Sequence, residues 1–141
     1  MPPGAPVSPA ISARIIHAAL VLGVLLFWLV AWYLGHASSV PADALPDRKV
    51  LYVALALVSA TLFGGAMFTA ARLGPVRPGT SQDDWWRANL SKAIVIWSLV
   101  EAPSLLGLVA YTLTRDFRTL IATFIGLLFF GSYRPSRLME R

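Results

Sequence analysis

The sequence predicts an all-α integral membrane protein, a four-helix bundle with both termini in the cytoplasm. Of its 141 residues, 57% are apolar and only 13% are charged, whereas soluble domains contain about 45–50% apolar and about 25% charged residues. The apolar residues form four long runs, each bounded by polar or proline-containing segments. This number of charged side chains is too small to cover the surface of a water-soluble domain. We therefore expect a multi-pass protein of the cell membrane, which is the inner membrane in a Gram-negative bacterium.

Charge and cysteine content exclude several other classes. The chain has no cysteine, which rules out disulfide scaffolds, iron–sulfur clusters and thiol catalysis. Its net charge is +5, but the basic residues stand at the ends of the apolar runs. That distribution is typical of contact with anionic lipid headgroups and not of nucleic-acid binding.

The first element is expected to be a span of about residues 13–35. Residues 1–12 contain four prolines, which predicts a flexible tail with Ser12 as the helix N-cap. From residue 15 to residue 34 the only strongly polar side chain is His17, and about 20 apolar residues are enough to cross the hydrocarbon layer. We interpret His17 as a polar packing residue.

The second span is expected at about residues 50–71. It carries small residues at four-residue spacing, with a further glycine beside them: Ala56, Ala60, Gly64 and Gly65. Residues four apart share one face of a helix, and small side chains let a neighbouring helix approach closely. This face is therefore predicted to pack against another helix, with a bound ligand as the alternative. A connection then follows, ending in a short interfacial turn with Trp85 and Trp86 at headgroup level.

The third and fourth spans are expected at about residues 88–114 and 117–133, followed by a basic cytoplasmic tail over residues 134–141. Residues 13–133 would form a single transmembrane domain. Helices are predicted throughout because no segment alternates like a barrel strand and unpaired backbone groups are not tolerated in lipid.

Basic residues predict the orientation. One side of the predicted topology carries eight of them: Arg14, Arg72, Arg77, Arg87, Lys92, Arg134, Arg137 and Arg141. The other side carries four: Arg48, Lys49, Arg115 and Arg118. The positive-inside rule therefore places both termini in the cytoplasm.

The two halves of the chain show weak self-similarity. A shift of 79 positions aligns Leu, Val and Ala residues of the first span with the same residue types of the third. Two helices of this composition also match by chance, so a duplication of one hairpin and a chance similarity both stay open.

Glu101 is the one acidic residue inside an apolar span. It lies about ten residues from the expected cytoplasmic edge, about 15 Å at helical rise and near the midplane. An acidic residue there costs about 2.5–3.5 kcal/mol on insertion scales. We expect its carboxyl group to be protonated, or paired within the protein, and we treat it as a candidate functional site.

Pro103 follows two residues later and removes a helical hydrogen bond near the carboxyl group. Counting inward places Gly23 of the first span at the same depth, where the candidate hydrogen-bond partners are Ser59, Thr61 and Thr123. A structural carboxyl group, a proton or cation site and a ligand site are the alternatives for this cluster.

The segment LVEAPSLLGLVA, residues 99–110, resembles the second helix of rotor-ring subunit c of ATP synthases. The resemblance is local, covering spans two and three, and it implies that Glu101 is the ion-carrying carboxylate. The first helix of that family has a dense glycine repeat, where span two has only Gly64 and Gly65. The chain also resembles small four-span membrane proteins whose third helix carries a Glu, which implies an architecture and no activity.

The leading functional hypothesis is an accessory or assembly subunit of a membrane complex, acting as a homo-oligomer or with other subunits. The alternative is a proton- or cation-translocating ring subunit or small transporter that uses Glu101. We expect no enzyme activity, no cofactor and no metal, because no phosphate loop, ligand spacing or nucleophile motif is present.

Overall fold

A computed structural model describes residues 7–37 and 47–140, and these residues contain helices and no strand. The helices are α1 (Pro9–Ala37), α2 (Arg48–Ala70), α3 (Gln82–Thr114), α4 (Leu120–Ser132) and α5 (Pro135–Met139), with a 3₁₀ turn at Phe117–Thr119 before α4. The first six residues of the predicted tail, most of the first connection and Arg141 lie outside the described residues. The all-α prediction is confirmed for the part that is described.

Three of these helices are long and apolar enough to cross a membrane: α1, α2 and α3. The fourth apolar helix, Phe117–Ser132, is shorter. Its 3₁₀ turn and α-helix together extend about 25 Å, less than the roughly 30 Å of a hydrocarbon core. The fourth span therefore stays a prediction.

Two helices begin earlier than the sequence pattern predicts. Helix α1 begins at Pro9. Proline is favoured at the first position of a helix, because the N–H group that it lacks would have no partner within the helix there. Ser12 is therefore a helical residue and not the N-cap. Helix α3 begins at Gln82, with Ser81 as its N-cap.

The segment predicted as an interfacial turn thus forms the first turns of α3. The exposed fractions of Trp85 and Trp86 are only 3% and 0%, so these rings are core residues of the protein. The predicted basic tail also contains helix α5, in which Leu138 is buried.

Helix α3 is the centre of the bundle, and α1, α2 and α4 all pack against it. Its parallel neighbour is α1: Ser8 meets Asp83 near one end, and Leu34 meets Arg115 at the other. Helices α2 and α4 run antiparallel to α3. The up-down-up-down order agrees with the sequence pattern, while the suggested duplication remains a prediction.

Glycines bring α3 and α4 into close contact. A Cβ atom on Gly107 would lie 2.7 Å from the carbonyl oxygen of Thr119, and one on Gly126 would overlap the Ser104 side chain. In this contact the Thr123 hydroxyl donates a hydrogen bond to the Ser104 carbonyl at 2.8 Å. The α3–α4 spacing therefore depends on two glycines.

Helix α2 packs through a different face from the predicted one. Its buried residues are Ser59, Phe63, Ala66 and Ala70, whereas Ala56, Ala60 and Gly64 are exposed. Only Gly65 of the predicted set lies at a helix contact, where an added Cβ would be 3.5 Å from Leu99. The predicted stripe is thus rotated by about 100°, one residue, from the real contact.

Side chains of neighbouring helices pair the backbone groups at several helix ends. The amide of Ala10, at the start of α1, donates to the Asp83 carboxylate at 3.3 Å. At the other end of α1, Arg115 donates to the Leu34 carbonyl at 3.0 Å. Lys92 donates to the Arg72 carbonyl just beyond α2 at 3.2 Å.

The end of α4 is paired by α1 and α3 in the same way. The indole nitrogen of Trp97 donates to the Tyr133 carbonyl at 2.8 Å, and Nε2 of His17 lies 3.1 Å from the Phe130 carbonyl oxygen. Because a carbonyl only accepts, Nε2 carries the proton in this contact. The His17 ring also packs edge-on against Trp97 and Phe130, which agrees with its interpretation as a polar packing residue.

Asp116 joins three elements where α3 ends, outside the apolar helices. Its carboxylate accepts hydrogen bonds from the Tyr52 hydroxyl at 2.5 Å and from the Arg118 amide at 2.9 Å. The bond from Tyr52, followed by that from Arg118, lowers the pKa of Asp116 below its ordinary range. The carboxylate therefore links α2 to the α3–α4 corner in its charged form.

We predict that Gly126→Ala destabilises the protein, because the added methyl group overlaps Ser104 at the α3–α4 contact. Overpacking of this kind costs about 1–3 kcal/mol. The matched control is Gly131→Ala on the same helix, where an added Cβ meets nothing within 4 Å. Thermal unfolding in detergent should show a lower melting temperature for Gly126→Ala alone, and equal values for both variants would contradict the packing described above.

We predict that Asp116→Asn lowers the melting temperature at pH 7 and that its effect fades below about pH 4. A carboxylate with a lowered pKa stabilises the fold above the pKa of the unfolded state, and this stabilisation is lost as pH falls through the folded-state pKa. Tyr52→Phe removes the main donor and should show the same pH dependence. If the difference in melting temperature between Asp116→Asn and the wild-type chain stays constant from pH 7 to pH 3, this role is excluded.

Candidate functional site

Glu101 lies at the edge of the contact between α3 and α1. Its Oε1 atom is 3.9 Å from the position that a Cβ atom of Gly23 would occupy. Gly23 itself is exposed, while the Glu101 side chain is partly exposed. Gly23 is also the residue that counting inward along the first span places at the depth of Glu101.

The carboxylate of Glu101 has no hydrogen bond and no ion pair with any residue of the 7–37 and 47–140 ranges. It borders the side of α3 that faces away from the bundle, which includes the exposed residues Val95, Ser98 and Val109. The described residues therefore leave the Glu101 carboxyl group available to a proton or to a donor from elsewhere.

None of the three predicted partners forms a hydrogen bond with Glu101. Thr61 is exposed and donates to the Leu57 carbonyl of its own helix at 2.9 Å. Thr123 donates to Ser104 across the α3–α4 contact. The Ser59 hydroxyl is buried and has no hydrogen-bond partner among the described residues. The structure thus does not assemble these hydroxyl groups around Glu101.

Pro103 also points away from the carboxyl group. Residues two apart on a helix project about 200° apart, and Pro103 is fully buried while Glu101 is partly exposed. Helix α3 continues through the proline without a break. The two residues are therefore neighbours in sequence but do not share one site.

Chemically, Glu101 can carry one proton or accept hydrogen bonds from an incoming donor. Histidine and carboxylate side chains do not gather elsewhere either: residues 7–37 and 47–140 contain no group of three or more that could hold a metal ion. The local arrangement is that of a single carboxyl group at a helix edge.

A second feature lies between α2 and α4, and two residues of the predicted small-residue face, Ala56 and Ala60, line it. A cavity of about 400 Å³ is bounded by Ser59 and Phe63 of α2, by Ile125 of α4, and by Tyr52 and Arg118 toward one end. The signal in the sequence was Ser59 itself, a polar residue within an apolar helix. Whether Ser59 lines a cavity depends on the rotation of α2 about its own axis, and the sequence pattern did not indicate that rotation.

Comparison with known proteins adds no assignment: no protein-family model, curated protein or solved structure matches this chain.

Proposed function

We propose that this protein is a small four-span membrane protein, with both termini in the cytoplasm, that acts as an accessory or assembly subunit of a membrane complex. The observation that carries the proposal is the Glu101 carboxyl group, which sits on an outward-facing edge of α3 and has no partner among residues 7–37 and 47–140. The three long apolar helices are compatible with insertion in a bilayer.

An unpaired acidic group within an apolar span is unfavourable by about 2.5–3.5 kcal/mol on insertion scales. A hydrogen-bond donor on a helix of another subunit would lower that penalty in the assembled complex, but not in the isolated subunit. This gives the carboxyl group a role in recognition, because only a partner with a donor at the same depth would satisfy it.

The face around Glu101 suits a helix contact. Val95, Ser98 and Val109 of α3 are exposed there, and Gly23 adds no side chain on the α1 side. Small residues such as Gly23 and Ser98 allow close approach of a further transmembrane helix. The proposed contact is thus a mainly apolar helix face with one ionisable position.

A second candidate function is proton or cation translocation, which the same carboxyl group and the local resemblance to rotor-ring subunit c favour. In that case Glu101 would take up and release an ion at the protein surface within a ring or a small transporter.

We predict that Glu101→Gln separates the two functions. Glutamine keeps a hydrogen-bonding group at the same place but has no proton to exchange at neutral pH. For an accessory subunit, the mass of the native complex on blue-native gels should be retained in Glu101→Gln and lost in Glu101→Leu. Ser98→Ala, on the same face, is the control for general disturbance of the surface.

For a translocating protein, the purified chain in liposomes should carry protons, as followed with a pH-sensitive dye, and Glu101→Gln should abolish the flux. A carboxyl-reactive carbodiimide should also label position 101. If the wild-type protein extracted from native membranes migrates as a monomer, the accessory role is overturned. If the wild-type protein also carries protons in liposomes, transport becomes the function in its place.

A further inference from the structure

The cavity between α2 and α4 has apolar walls and an opening that reaches charged residues. Leu55 and Phe63 on one side and Ile121 and Ile125 on the other form its walls. No residue of α1 or α3 bounds it, so it is separate from the Glu101 edge. We call this cavity the α2–α4 groove.

One cation, Arg118, bounds the opening of the α2–α4 groove. Its side chain is exposed, and its guanidinium makes no hydrogen bond within the described residues. Arg48 and Lys49 begin α2 at the same end of the bundle, directly after Asp47. Asp116 also lies at this end, and its carboxylate accepts a hydrogen bond from the Arg118 backbone amide. The described cations at this end outnumber the two carboxylates, so the net charge there is positive.

A buried hydroxyl group inside the groove lacks an acceptor. Ser59 is only 7% exposed, and its Oγ atom has no hydrogen-bond partner in residues 7–37 and 47–140. It lies seven residues after Tyr52 on the same helix, about 10 Å deeper. A hydroxyl left without a partner in an apolar wall is unfavourable, so an occupant that brings an oxygen acceptor to this depth would be favoured.

We propose that the α2–α4 groove binds an anionic phospholipid. The phosphate lies against Arg118, an ester carbonyl accepts a hydrogen bond from Ser59, and one acyl chain fills the apolar space between α2 and α4. Basic pockets between membrane helices bind anionic headgroups in this way, and the volume falls within the range of small-molecule sites. This site goes beyond the proposed subunit role and does not depend on Glu101.

The test is a lipid titration of the purified full chain in detergent, read by native mass spectrometry. The probes are phosphatidylglycerol and phosphatidylcholine with identical acyl chains. Wild type should prefer phosphatidylglycerol, and Arg118→Gln should weaken that lipid about fivefold while leaving phosphatidylcholine unchanged. The control is Arg77→Gln, which removes an exposed cation from the opposite end of the bundle and should have no effect.

A second variant tests the apolar part of the site. Ala60→Phe places a large side chain into the groove from an exposed position, so the fold should tolerate it, and it should weaken both lipids. Equal binding of the two lipids by wild type, or phosphatidylglycerol binding unchanged in both variants, overturns the proposal. If Ala60→Phe instead dissociates a homo-oligomer without changing lipid binding, the groove is a contact between two copies of the chain.

Discussion

The structure depends on how the backbone groups at its helix ends are paired. Every helix leaves amide and carbonyl groups without intrahelical partners at its ends, and such groups are expensive where water is scarce. Here one helix supplies the partner for another: α3 provides Asp83 and Arg115 to α1, Lys92 to the end of α2, and Trp97 to the end of α4. These bonds fix the axial register of the helices, and a slip of one turn would break several of them at once.

That register explains where the site lies. Because α1, α2 and α4 all pack on α3, only one side of α3 stays uncovered, and Glu101 stands at its boundary. The glycines at 107 and 126 hold α4 against a different face of α3 from the one at which Glu101 stands. Since no described residue pairs with the Glu101 carboxyl group, we look for its partner beyond the described part of the chain.

The depth of a residue along the bundle could be predicted from the sequence, but the side of each helix that is buried could not. Counting residues from span edges placed Glu101 level with Gly23, as the structure has it. The contact face of α2 was misplaced by one residue, because that helix is apolar on all sides and its pattern marks no buried stripe. Trp85 and Trp86 illustrate the same limit: an aromatic pair beside an apolar run is typical of a headgroup position, and only the path of α3 shows that these rings are inside. The α3–α4 glycines carried no signal beyond their small size.

The shortness of the final apolar helix would matter if that helix crosses a bilayer as proposed. At about 25 Å, α4 with its 3₁₀ turn would leave a hydrophobic mismatch of roughly 5 Å with an average hydrocarbon core. Thinning of the lipid on that flank, or extension of the flanking basic side chains toward the interface, would compensate for the mismatch. In either case the proposed span would favour a thinner membrane without any specific side-chain contact.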